Sequence, residues 1–165
     1  MEQGIKPKMP VTSSILTRLH YQHKTVVDMI DGLSDEMIRR QVIPGKWSVF
    51  ENIVHLQTYQ HIFCSRVKQL LSGTNPSFTR YTAETDPLFA DNCHKSIREI
   101  IQDLLSIRKK MLTEVSVLKE EDFAKTAVHS VFGKLNLSEW LNFFLLHEAH
   151  HLFTIFKLSA ELRNG

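Results

Sequence analysis

With 165 residues, 42% of them hydrophobic and 23% charged, the chain has the composition of an ordinary globular domain large enough to bury its own core. Its 20 Lys and Arg oppose 18 Asp and Glu for a net charge of +2, and the basic residues are scattered, which argues against a nucleic-acid or anionic-membrane partner. Two cysteines, Cys64 and Cys93, form neither a disulfide framework nor a CxxC motif, and both read as reduced and packed. The opening "MEQGIKPKMPVT" lacks the apolar run of a signal peptide, and no stretch approaches the length of a membrane span. A cytoplasmic location is the default expectation.

Residues 1–12, with Gly4, Pro7 and Pro10, are expected to be loosely ordered, and a single domain is expected over 13–165. Ile15, Leu16, Leu19, His23, Val26, Val27 and Ile30 recur at three- and four-residue spacing and predict an amphipathic helix over 13–31. A short helical turn is expected from Ser34, with a stop at Pro44-Gly45. Ser48 followed by Glu51 is a capping box, opening a second helix that runs to about Leu71. After a loop, Asp86-Pro87 marks the start of a third and longest helix, which carries the apolar series from Leu88 to Val115. Residues 119–136 read as irregular with one short extended piece, and no convincing strand set is present. Asn136 with Glu139 opens a fourth helix that ends near Ala160. The predicted fold is all-α, a four-helix bundle whose long connections near 72–86 and 119–136 cover one end.

Nine histidines are present, and His20, His61, His94 and His129 read as ordinary surface or hydrogen-bonded residues. His23, on the core side of the first helix, reads as structural. The segment "LNFFLLHEAHHLFTIFKL" is different. His147 and His151 stand four apart, on the helix face that also carries Trp140, Phe144, Ile155 and Leu158. Two inward imidazoles at this spacing can ligate one metal ion, or they can form a buried, hydrogen-bonded pair; spacing alone leaves the two readings level. His150 points about 100° away and is the weaker candidate. "HEAHH" also fits the H-E-x-x-H motif of zinc proteases, with Glu148 as base, but Thr154 and Lys157 occupy the positions of the extended pattern's Gly and His. Any third ligand comes from a facing helix, where His55 in "ENIVHLQTY" is best placed.

"PGKWSVFENIVHL", preceded by "GLSDEMI" and followed much later by "LSEWLNFFLLHEAHHL", resembles the DinB/YfiT-like family of metalloenzymes in order from about residue 13 to 160. That resemblance implies a DinB-like four-helix bundle and a divalent-metal triad at His55, His147 and His151. It further implies zinc or nickel as the ion, with manganese or iron as further candidates, and a homodimer. Relatives include thiol transferases, thiol-dependent isomerases and parts of thiol-oxidising synthases. The expected function is therefore a metal-dependent enzyme of the hydrolase or thiol S-transferase type, acting on a small molecule such as a low-molecular-weight thiol. The alternative is a non-catalytic metal-binding or stress-associated interaction protein on the same scaffold. Family members often follow the last histidine with Arg-Gly-Gln, whereas "HLFTIF" here makes that side more apolar. Glu148, Tyr59 and Arg66 are candidates for contacts behind the ligands or with substrate, the latter two on nearly the face of His55. Trp47 and Trp140 read as core residues near the helix starts.

Overall fold

The structure, a computed structural model, describes residues 12–165, so most of the segment expected to be loose lies outside the described residues. Thr12 itself caps helix α1 (Ser13–Tyr21), accepting from the Ile15 amide. The first predicted helix is not continuous. It tightens into a 3-10 turn at Gln22–Lys24 and resumes as α2 (Thr25–Ile30). The Thr25 hydroxyl donates to the Gln22 carbonyl at 2.8 Å there, competing with the regular ladder. Ser34 caps the short α3 (Asp35–Arg39).

Helices α4 (Val49–Leu71) and α8 (Leu137–Asn164) begin at the expected capping boxes, Ser48 with Glu51 and Asn136 with Glu139. Gly73, at φ +77°, supplies the left-handed residue just beyond the end of α4. The third predicted helix is corrected by the structure into two. Asp86 and Pro87 open only α5 (Pro87–Asn92); a second capping box at Ser96 and Glu99 then starts α6 (Ile97–Ser116). Carbonyls freed at this break are not orphaned, because Arg39 donates to the Cys93 oxygen at 3.2 Å and the Lys95 oxygen at 2.8 Å. The short α7 (Glu120–Phe123) follows. The four long members of the bundle are thus the broken α1–α2 helix, α4, α6 and α8. Among the described residues no helix is long and apolar enough to cross a membrane.

The two long connections meet as a small sheet, which the expectation of a single extended piece did not include. Strand β1 (Ser77–Phe78) pairs in parallel with β2 (Thr126–His129), and β2 pairs antiparallel with β3 (Gly133–Asn136). Ala127 is fully buried, and its carbonyl accepts from the Trp140 indole at 3.3 Å, fastening the sheet to α8.

The core is divided in two. One cluster gathers Leu19, Phe63, Met111, Trp140 and Phe144; the other gathers Val26, Ile53, Ile100, Leu104 and Ile155. Each long helix crosses from one cluster to the other through a polar stretch: His23, then His55 to Gln60, then Arg108, then His147 to His151. A buried polar layer therefore runs across the middle of the bundle. At its back the Arg108 guanidinium, with no solvent exposure, meets the Glu148 carboxylate. It also donates to Gln60 Oε1 at 2.6 Å, to the Leu19 carbonyl at 3.2 Å, and to His23 Nδ1 at 3.2 Å. Gln22 donates to the other Glu148 oxygen at 2.8 Å. Among the described residues, no buried side-chain polar atom of this group is left without a partner.

His23 pays into this network as an acceptor and must stay neutral. Burial first, and then Arg108, Lys24 and His20, push its pKa from 6.5 down to about 3. Between those values the unfolded chain binds a proton that the native chain refuses, so His23 removes stability as pH falls below 6.5. The His23→Asn variant keeps an oxygen where Nδ1 accepts from Arg108. It is expected to lose about 1.4 kcal/mol per pH unit from the slope of stability between pH 6 and 4, read from urea midpoints. An unchanged slope would show that His23 is not held neutral.

Candidate metal centre

On the other side of the polar layer, α4 and α8 bring His55, His147 and His151 together. One ring nitrogen from each lies within 4.8 Å of the other two. His55 Nε2 and His147 Nε2 stand 3.1 Å apart, and the His55 and His151 rings are 4.4 Å apart between centroids. Helical geometry explains the convergence: the i,i+4 pair on α8 presents two rings on one face, and α4 packs against that face with His55.

The fold fixes the tautomer of one ring. Asn52, one turn before His55, donates through Nδ2 to the Ser48 carbonyl at 2.8 Å, which turns its Oδ1 toward His151. His151 Nδ1 lies 2.9 Å from that oxygen and so carries the proton, leaving Nε2 as a free lone pair. The Nδ1 atoms of His55 and His147 are buried without a hydrogen-bond partner among the described residues. Two facing Nε2 atoms can share at most one proton, so the pair is poorly satisfied as it stands. Burial, and then the neighbouring imidazoles, lower all three pKa values from 6.5 to about 3. Three neutral imidazoles converging on one point are a donor set that could hold a divalent ion.

The cluster forms the floor of a cleft of about 780 Å³. Trp47 lies 5.0 Å from the His55 ring, Tyr81 stacks on it at 5.7 Å, and Tyr59 lies 4.3 Å from His147. Tyr81 donates to Asp86 at 2.9 Å, tying the long 72–86 connection to the start of α5. From the β2–β3 hairpin come His129 and Phe132, and from the second turn of α8 comes Phe143, with ring separations near 5 Å. A second cleft of about 460 Å³ opens on the far side of Trp47 and His151, beside Ile43, Lys46 and Leu158.

Several expectations change here. Glu148 does not face the cleft: it is bound to Arg108 and Gln22, so it has no free oxygen for the role of protease base. Trp140 is a core residue, but Trp47 is half-buried and walls the cleft. His129 is buried, where it accepts from the Val131 and Phe132 amides. His61, paired with Asp103 at 2.5 Å, and the exposed His20 and His94 are the ordinary residues expected. His150 lines the rim and is exposed. Asn52 and Tyr81 carried no warning in the sequence, except that Asn52 is a polar residue on the buried side of an apolar helix, one turn before His55.

A helical bundle with three imidazoles able to hold an ion at the floor of a cleft defines the class of protein. The chain belongs to the DinB superfamily, whose family model matches residues 18–155. It is 27% identical over 135 residues to the uncharacterized protein YuaE of Bacillus subtilis, covering 74% of this chain and 83% of that one. Among solved structures it is similar to YfiT from Bacillus subtilis, described as a probable metal-dependent hydrolase with an unusual four-helix bundle topology; the TM-score is 0.79 at 17% identity, covering 95% of this chain and 93% of that one. A DinB-like protein from Bacillus cereus matches with a TM-score of 0.65 at 18% identity, over 93% of this chain and 94% of the other.

Proposed function

We propose that this protein is a metal-dependent enzyme, a hydrolase or thiol S-transferase, acting on a small molecule in the cleft above His55, His147 and His151. The observation that carries the reading is the approach of His55 Nε2 and His147 Nε2 to 3.1 Å beside a third ring whose tautomer Asn52 sets. These three residues would hold the ion, and nitrogen donors suit zinc or nickel. When bound, it supplies a Lewis acid able to polarise a carbonyl or to acidify a water or thiol. The chain does the rest. Asn52 keeps the His151 lone pair aimed at the centre, burial keeps all three rings deprotonated, and Trp47, Tyr81 and Phe143 give the cleft apolar walls that orient a substrate and limit water. The hydrolase side of the reading is supported by the description of YfiT.

The test is turnover. Protein loaded with zinc or nickel is screened against aryl esters, aryl amides and thiol conjugation to an electrophile. Metal-dependent turnover that falls to background in His147→Ala is the expected result. Turnover that is the same in His147→Ala overturns the reading.

A further inference from the structure

Two arginines line the cleft, and the buried one, Arg66, has no carboxylate partner among the described residues. Arg66 lies on α4 eleven residues beyond His55, which returns it to within about 20° of the same helix face and about 16 Å along the axis. Its side chain leans back toward the N-terminus, as helical side chains do, and so toward the imidazoles. The residue is only 9% exposed and lines the cleft. Nη2 donates to the Thr79 carbonyl at 2.8 Å, and the guanidinium lies 5.3 Å over Phe78. Among the described residues no carboxylate pairs with it, in contrast to the fully buried Arg108, which is matched by Glu148. Buried cations without a counter-charge are costly and rare in structures.

The surroundings sharpen the point. Arg80 adds a second, exposed cation at the rim, and Glu84 is the one acidic side chain among the described residues lining the cleft. His129 is held below its ordinary pKa by burial and by Arg66, so it brings no proton charge of its own to neutralise. Between Arg66 and the imidazoles the wall is mixed: Tyr59 and His129 are polar, while Phe132 and Phe143, 5.5 Å apart, give it an apolar face. We propose that Arg66 is the anion anchor of the cleft, and that the substrate is an elongated organic acid. Its carboxylate is held by Arg66, its apolar body lies on Phe132 and Phe143, and its reacting end reaches the three imidazoles. Thr79 and the Tyr59 hydroxyl occupy part of the guanidinium, and the rest of its five N–H groups are left for a carboxylate. The inference rests on the proposed function for the reacting end only.

The test uses 3-phenylpropionate and its neutral amide, 3-phenylpropionamide, titrated calorimetrically into the full chain with and without zinc. Trp47 fluorescence is a parallel readout from the cleft wall. The acid is expected to bind about tenfold or more tighter than the amide. This preference should vanish in Arg66→Gln, survive in part in Arg66→Lys, and appear with or without zinc. Thermal melts and zinc stoichiometry equal to the wild type show that Arg66→Gln is folded. Equal binding of acid and amide, binding of neither, or a preference that persists in Arg66→Gln overturns the inference. A preference that needs zinc and survives Arg66→Gln puts the carboxylate on the ion, overturning the anchor while supporting the metal. An Arg66-dependent preference in a chain that takes no zinc leaves the anchor standing and removes the metal.

Discussion

Arg108→Met is expected to destabilise the protein by about 3–5 kcal/mol, the largest single effect outside the candidate centre. The guanidinium is fully buried and binds four partners from three other helical segments and its neighbour α4: Glu148, His23, the Leu19 carbonyl and Gln60. Methionine fills a similar volume but leaves the Glu148 carboxylate, 2% exposed, without its cation. Burial already works against charge on both members: it lowers the Arg108 pKa and raises that of Glu148, each partly offset by the other. The pair thus holds its members in place more than it adds net stability. Arg108→Met combined with Glu148→Leu is accordingly expected to recover more than half of the loss, as urea unfolding would show. A double variant as unstable as the sum of its parts would mean that the hydrogen bonds to Gln60, Gln22 and Leu19 carry the network instead.

The second large effect divides metal binding from folding. Under the proposed ligand set, zinc at a thousandfold excess over its dissociation constant stabilises the wild type by about 4 kcal/mol, and His147→Leu abolishes that gain. Without metal the same variant is expected to melt at or above the wild-type temperature. Leucine removes the unpartnered buried Nδ1 and the crowded Nε2 contact, and it packs against Tyr59 and the apolar residues of α8. A metal-free loss of several kcal/mol would instead identify His147 as a structural residue.

The elements most legible in the sequence were those with local signatures. Ser48 with Glu51 and Asn136 with Glu139 announce α4 and α8 because the capping box is written within four residues. The break before α6 carries the same signature at Ser96 and Glu99, but the apolar series on either side keeps a helical period and hides it. The sheet is not legible: strands of two and four residues are too short for alternation to show, and β1 meets β2 across about fifty residues of chain. Within the candidate centre, His147 and His151 stand out by their four-residue spacing, whereas His55 needs the family resemblance, because nothing local distinguishes it from a core histidine. The polar layer was hidden for another reason. Arg108 sits in "SIRKKML", which reads as a solvated face, and its partners lie on other helices, far away in sequence. Arg66 was placed on the face of His55 by periodicity, but its lack of a counter-charge is a tertiary fact.

The most direct test of a metal centre at His55, His147 and His151 is elemental mass spectrometry of protein purified without a histidine tag, beside the His55→Ala and His151→Ala variants. The account predicts about one divalent ion per chain in the wild type, lost from both variants while their helical content is unchanged. A wild-type chain that takes up no ion after incubation with zinc, nickel or manganese would contradict it, and would leave the three imidazoles as an unusually crowded piece of core.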